Sequence, residues 1–197
     1  MKLVLISIQP KWCELIASGK KTVEVRKTRP KIETPFKCYI YCTKAKTYED
    51  LLWLAEYREN EYMGDFCANG QVIGEFVCDC IANYEAELWD DETYERIQEF
   101  FEPDDFAEYG EYEYKTIADN GDDFWKENML CESSCLTIEE LRKYVGCGIA
   151  TFYGWHISNL VIYDKPKELS EFIVERYPCL ARLKRPPLSW CYVEEGR

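Results

Sequence analysis

Leu15-Ile16-Ala17-Ser18-Gly19-Lys20-Lys21-Thr22-Val23-Glu24-Val25-Arg26 changes its period at the glycine. Upstream, Trp12, Leu15 and Ile16 recur at helical spacing behind Pro10, whose fixed φ suits the first turn of a helix. The spacing predicts a helix over 10–18, with Gly19 where a helix C-cap belongs. Downstream, Val23 and Val25 alternate with Thr22, Glu24 and Arg26. A strand here turns the valines toward the core and puts Thr22, Glu24 and Arg26 on the other face, until Arg29-Pro30 ends it. A helix end followed by a strand can aim Lys20, Lys21, Glu24 and Arg26 into one cleft.

The rest of the chain reads mainly as β. Strands are predicted at Leu3–Ile8, Cys38–Thr43, Gln71–Cys78, His156–Tyr163 and Ser189–Val193, with Gly74 as a bulge or a close approach. Lys165-Pro166 is expected to break the fourth of these. Short helices are predicted at Leu51–Tyr57, Asp90–Phe101, Leu136–Tyr144 and Leu169–Arg176. In the third of them Thr137 and Glu140 are spaced as a capping box, with Gly146 past its end. Five or six strands with few helices predict a mainly β protein with α (α+β), built as a small closed or partly closed barrel with peripheral helices.

Composition narrows the classes. The chain has 197 residues and is 47% hydrophobic, enough for one domain with a full core, or one domain carrying a large insertion. No apolar run reaches eighteen residues, so no membrane association is expected, and the N-terminus reads as a buried strand rather than a signal peptide. The location expected is cytoplasmic. The eleven cysteines are odd in number and contain no Cys-x-x-Cys pair. With a single histidine, His156, they predict reduced thiols and neither metal nor cofactor. Residues 82–145 hold 20 acidic and 5 basic side chains, a net of −15, while the rest of the chain nets +2. The acidity is thus local and does not exclude a nucleic-acid partner.

The first stretch resembles the ASCH domain, whose signature G-x-K-x-x-E-x-R falls here on Gly19, Lys21, Glu24 and Arg26. Val72–Phe76, Trp155–Ser158 and Arg185–Tyr192 are similar to later strands of ASCH-like proteins. The resemblance covers roughly 1–81 and 146–197. It implies one PUA-like domain over 1–197, with 82–145 as an acidic, aromatic-rich insertion that either lies over the barrel or is a flexible excursion. It implies a cleft lined by the signature and an RNA or nucleotide ligand. Some small members resemble amidohydrolases that release the acyl group of N4-acetylcytidine with a lysine, a threonine and a glutamate, and a few are described as ribonucleases. Lys21 matches that lysine. Glu24 stands where the threonine would be, a departure from the hydrolase pattern, and no residue matches the glutamate.

Two roles fit the signature. Lys21 can hold a phosphate as a point charge, Arg26 can grip one bidentately, and Glu24 can accept from a base or orient Lys21. Otherwise the alternating charges only keep a salt-bridged surface strand soluble. Catalytic candidates are Lys21, Glu24 and Glu75; ligand-binding candidates are Lys20, Lys21, Glu24, Arg26, Trp155 and His156. Trp12, Trp155, Trp190 and Tyr192 could stack on bases or fill the core. His156 could act in proton transfer or as a hydrogen-bonded structural residue. Arg176, Arg182, Lys184 and Arg185 form a basic patch that could follow a phosphate backbone or neutralise the acidic segment. The sequence therefore favours an RNA- or nucleotide-binding module. A hydrolase of a modified nucleoside and a protein-interaction module acting through 82–145 are the alternatives.

Overall fold

The computed structural model describes residues 3–46, 70–88, 95–101, 113–118, 129–146, 148–176 and 179–196. These form two compact units, Met1–Gly19 with Pro35–Cys78 and Ser158–Arg197, and Lys20–Thr34 with Asp79–Ile157.

The first unit is one seven-stranded sheet with a helix. Its strands are β1 (Leu3–Ile8), β3 (Phe36–Cys42), β4 (Val72–Cys78), β9 (Ser158–Lys167), β10 (Phe172–Arg176), β11 (Cys179–Arg182) and β12 (Trp190–Glu195), in the order β11-β10-β12-β1-β3-β4-β9. β1 is central, parallel to β3 and antiparallel to β12, and its apolar run is buried on both faces. Helix α1 (Pro10–Ala17) starts at the proline and is followed by Gly19 at a φ of +74°, as its sequence predicts. Gly74 does both things expected of it. The β4–β9 register shifts beside it, and a Cβ there would run into the carbonyl of Val161.

Two expectations in this unit fail. Pro166 does not end its strand, because β9 is the outermost strand of the sheet and an edge tolerates a missing N–H donor. Leu169–Arg176 is no helix. A 3₁₀ turn at Leu169–Glu171 leads into β10, where Phe172 and Val174 are buried at period two against Leu5, Tyr39 and Val193.

The second unit is a five-stranded sheet of β2 (Val23–Arg26), β5 (Ile81–Leu88), β6 (Glu95–Phe101), β7 (Glu113–Ala118) and β8 (Gly148–His156), in the order β2-β8-β5-β6-β7. Helices α2 (Met129–Ser134) and α3 (Ile138–Val145) contribute to its core, where Val25, Tyr84 and Phe152 meet Leu130, Leu141 and Val145. The Thr137–Glu140 capping box is present in full. Asp90–Phe101 is not the predicted helix. Its described part is β6 instead, held by ladders to β5 and β7, so tertiary pairing overrides local spacing. The acidic segment thus supplies β6, β7 and most of β5 to this sheet, and both helices to the core. The predicted strand from His156 to Tyr163 is divided: β8 ends at His156, and β9 belongs to the other sheet.

Among the described residues there are twelve strands rather than five or six, and the class is mainly β with few helices. Neither sheet closes in its pairing order. The predicted helix at Leu51–Tyr57 lies outside the described residues. Among the described residues no helix is long and apolar enough to cross a membrane.

A polar network ties the first unit's strands together. Glu75 accepts from Lys37 Nζ at 2.7 Å and from the Tyr163 hydroxyl at 2.5 Å. Glu195 accepts from the Tyr39 hydroxyl at 2.8 Å and from Lys167 Nζ at 3.1 Å. Burial alone would raise the Glu75 carboxyl, but its hydrogen bonds and the charges of Lys37 and Lys167 hold it below the usual range. The hydrogen bonds from Tyr39 and Lys167 likewise lower Glu195. Burial, then the bonded carboxylates, push both tyrosines well above 10. Raised phenols add stability that is present below the unfolded value of about 10 and lost as pH climbs past it. Lowered carboxyls add stability that is present above about 4.5 and lost as pH falls. In an alkaline titration, Tyr39 and Tyr163 are expected to form phenolate only as the chain unfolds, and Tyr163→Phe to reduce that late amplitude. Full phenolate absorbance in a still-folded protein would contradict this.

Candidate functional site

Among the described residues β2 is an edge strand that pairs only with β8, with Val23 opposite His156, Glu24 opposite Trp155, Val25 opposite Gly154 and Arg26 opposite Tyr153. Directly opposed residues share a face. Val25 and Phe152 therefore look into the core, and Glu24, Arg26, Tyr153 and Trp155 look the other way. The expected alternation is present, yet the charged face is not a wet one. Glu24 is 6% exposed and Arg26 7%, and Lys21 just before the strand is 2% exposed.

Glu24 joins the two cations. Its Oε1 lies 2.9 Å from an Arg26 terminal nitrogen and its Oε2 3.4 Å from Lys21 Nζ. Lys21 Nζ also donates to the Ser134 carbonyl at 2.5 Å, and the Thr22 N–H donates to the Ser133 carbonyl at 2.8 Å. These carbonyls end α2, where backbone acceptors lack helical partners and the helix end carries partial negative charge. The chain leaves α2 through Cys135 in the left-handed region, at a φ of +54°. The signature lysine thus fastens the start of β2 to a helix from the acidic segment, a partner that sequence spacing does not reveal.

The other candidates are distributed differently. Lys20 is exposed and stands outside the Lys21–Glu24–Arg26 pairing. Trp155 is wholly buried, between Glu24 and Ile81 in register, so it presents no open ring face to a base. This corrects its reading as a stacking residue. Trp12, Trp190 and Tyr192 belong to the other unit, so the four aromatics do not assemble into one platform within a unit. His156 keeps a side chain 43% exposed and contacts Asp79 Oδ1 through Nδ1 at 2.6 Å. Glu75 sits in the first unit, engaged by Lys37 and Tyr163.

A hollow of about 870 Å³ opens where β2 ends. Lys27, Arg29 and Lys31 line it with one carboxylate, Glu33, and with Ile81 and Tyr153 as apolar and aromatic wall. The Arg29 guanidinium stands 5.7 Å from the Tyr153 ring centre, and Tyr153 is the cross-strand partner of Arg26. In sequence, Arg29-Pro30 reads only as a strand stop. The signal available was a basic residue at every second position from Lys27 to Lys31.

A mainly β α+β chain with Gly19, Lys21, Glu24 and Arg26 at a helix–strand junction has the marks of one class. The ASCH domain model matches residues 6–119, more than half of the chain, and the chain belongs to the ASCH domain family. The match runs past residue 81 into the acidic segment, beyond the stretches that carry the resemblance in sequence. Among solved structures, ASCH from Zymomonas mobilis is similar at 16% identity and a TM-score of 0.45, over 85% of this chain and 74% of that one. A serine-to-alanine mutant of the same Zymomonas mobilis protein is similar at 16% identity and a TM-score of 0.50, over 98% and 89%. At that identity the likeness concerns the fold. No curated protein matches the chain.

Each buried ion costs several kcal/mol to desolvate, and removing one member of such a set leaves the rest uncompensated. Glu24→Ala is expected to lower unfolding stability by about 3–5 kcal/mol in denaturant titrations. Combining Lys21→Met, Glu24→Leu and Arg26→Met should cost less than Glu24→Ala alone. A loss below about 1 kcal/mol for Glu24→Ala would mark the cluster as a surface ion pair.

Proposed function

We propose that the chain is an RNA- or nucleotide-binding module of ASCH type that seats its ligand in the hollow beyond β2. The observation that carries this reading is the hollow's lining. Three cations and one carboxylate line it, and the Tyr153 ring stands 5.7 Å from the Arg29 guanidinium. Its volume of about 870 Å³ lies within the usual range for small-ligand sites. Lys27 and Lys31 would meet phosphate as point charges, Arg29 bidentately, and Tyr153 would offer a face to a base.

In this reading Lys21, Glu24 and Arg26 act at one remove. Their burial and mutual pairing argue against direct grip on a phosphate, and their part is to hold β2 where the hollow begins. The amidohydrolase alternative draws less support. Glu24 replaces the family's threonine and is engaged by Arg26 and Lys21, while Glu75 is bound by Lys37 and Tyr163. The proposal keeps the PUA-like barrel that the family implies, and a cytoplasmic location in which the nine free thiols of the described residues would stay reduced.

Binding of short single-stranded RNAs and of nucleotides, followed by calorimetry across a salt series, tests the reading. Replacing Lys27, Arg29 and Lys31 together with alanine should weaken oligonucleotide binding at least tenfold and flatten the log–log salt slope by about 2, at about 0.7 per phosphate contact. Tyr153→Ala should cost about 1–3 kcal/mol. Wild-type protein without affinity for any of these ligands, or a triple variant that binds as wild type does, would remove it.

A further inference from the structure

His156 is the chain's single histidine, and the fold brings it to Asp79, 77 residues away in sequence. The β5–β8 ladder does this. Ile81 pairs with Trp155, and one step further the His156 N–H donates to the Cys80 carbonyl at 3.1 Å. The backbones of Cys80 and His156 are thereby fixed opposite each other, with Asp79 next in line. His156 Nδ1 lies 2.6 Å from Asp79 Oδ1. One donor atom from each of Asp79, Cys80 and His156 falls within 4.8 Å of the other two.

An aspartate–histidine hydrogen bond by itself would be an ordinary structural contact. The sulfur in the same small volume changes its chemistry. A carboxylate oxygen, a thiolate and an imidazole nitrogen form a mixed donor set suited to a borderline divalent ion, zinc above all, and unsuited to calcium or magnesium. Zinc bonds of about 2.0–2.3 Å put tetrahedral donors about 3.3–3.8 Å apart. The Asp79–His156 pair, at 2.6 Å, is closer than this, and the set as a whole spans up to 4.8 Å, so on binding those two must part and the sulfur approach. Asp79 and Cys80 are exposed and His156 is partly so, which leaves the side chains room to turn. Spacing alone does not reveal the set, because Cys78-Asp79-Cys80 lacks a paired knuckle and the third donor arrives from β8.

We propose that Asp79, Cys80 and His156 form a three-ligand site for a zinc-class divalent cation, with a remaining coordination position open to solvent. On binding, the Cys80 thiol gives up its proton to solvent, and His156 ligates as a neutral imidazole through Nδ1, with its one N–H on Nε2. No oxidation or reduction is involved. The site stands independently of the hollow and its ligand.

Chelator-treated full-length protein titrated with Co²⁺ tests the proposal. One equivalent should bind with a thiolate-to-cobalt charge-transfer band, which Zn²⁺ then removes. Cys80→Ser should abolish the band, and Asp79→Asn or His156→Gln should weaken binding at least tenfold, with circular dichroism unchanged. A wild type without the band, or a band that persists in folded Cys80→Ser and so belongs to another of the eleven cysteines, overturns it. Alkylation of the wild type read by mass spectrometry needs no variant: Zn²⁺ should shield Cys80, and equal labelling with and without zinc also overturns the proposal.

Discussion

Glu24 carries its carboxylate into a position only 6% exposed, and that charge has to be met there. At an effective interior dielectric near 20, each close cation attracts it by about 4 kcal/mol, comparable with the several kcal/mol each ion loses on leaving water. The net gain in stability is therefore small, while the geometric demand is strict. Without Glu24, Lys21 and Arg26 are two buried like charges. Without Lys21, the carbonyl of Ser134 loses the ammonium donor as well. The cluster acts less as a source of stability than as a lock on one arrangement of β2 and the end of α2.

That lock reaches the hollow through the backbone. Arg26 is the last residue of β2, and Lys27 to Lys31 follow without a break. Where the strand is pinned, the basic segment must begin. The cross-strand partner of Arg26 is Tyr153, so the same register that buries the arginine also sets the aromatic wall beside Arg29. A motif can thus be essential to a binding surface while touching no ligand, which is why signature residues and lining residues need not coincide.

The N-terminal helix, the strand after it and the α3 capping box were legible because each is specified by neighbours in sequence: Pro10 before an apolar stripe, Gly19 in the left-handed region, Thr137 three residues before Glu140. The failures share a cause. Pro166 reads as a strand breaker unless the strand is known to be an edge, and residues 95–101 read as a helix unless β5 and β7 are known to flank them. The site divides in the same way. The spacing aims Lys20, Lys21, Glu24 and Arg26 at one cleft, whereas Lys21, Glu24 and Arg26 pair in a buried cluster without Lys20; their depth, and the helix end that Lys21 reaches, depend on residues over a hundred positions away. The charges are identical on a wet strand and a buried one, so no local pattern separates the two.

The distribution of charge limits what the hollow can hold. The acidic segment and the basic lining belong to the same unit, and Glu85 stands four residues along β5 from Ile81, on the same face and about 13 Å away at the usual strand rise. At physiological ionic strength a charge is felt over about 8 Å. A phosphate inside the hollow therefore responds chiefly to Lys27, Arg29 and Lys31, whereas a long polyanion would extend into the field of the carboxylates on β5. Helical duplex, with a phosphate for every 1.7 Å of axis, is penalised most. A nucleotide or a short single strand gains the local attraction without the distant repulsion. On the proposed reading, the carboxylate of Glu85 would thus set a limit on the length of ligand the hollow accepts.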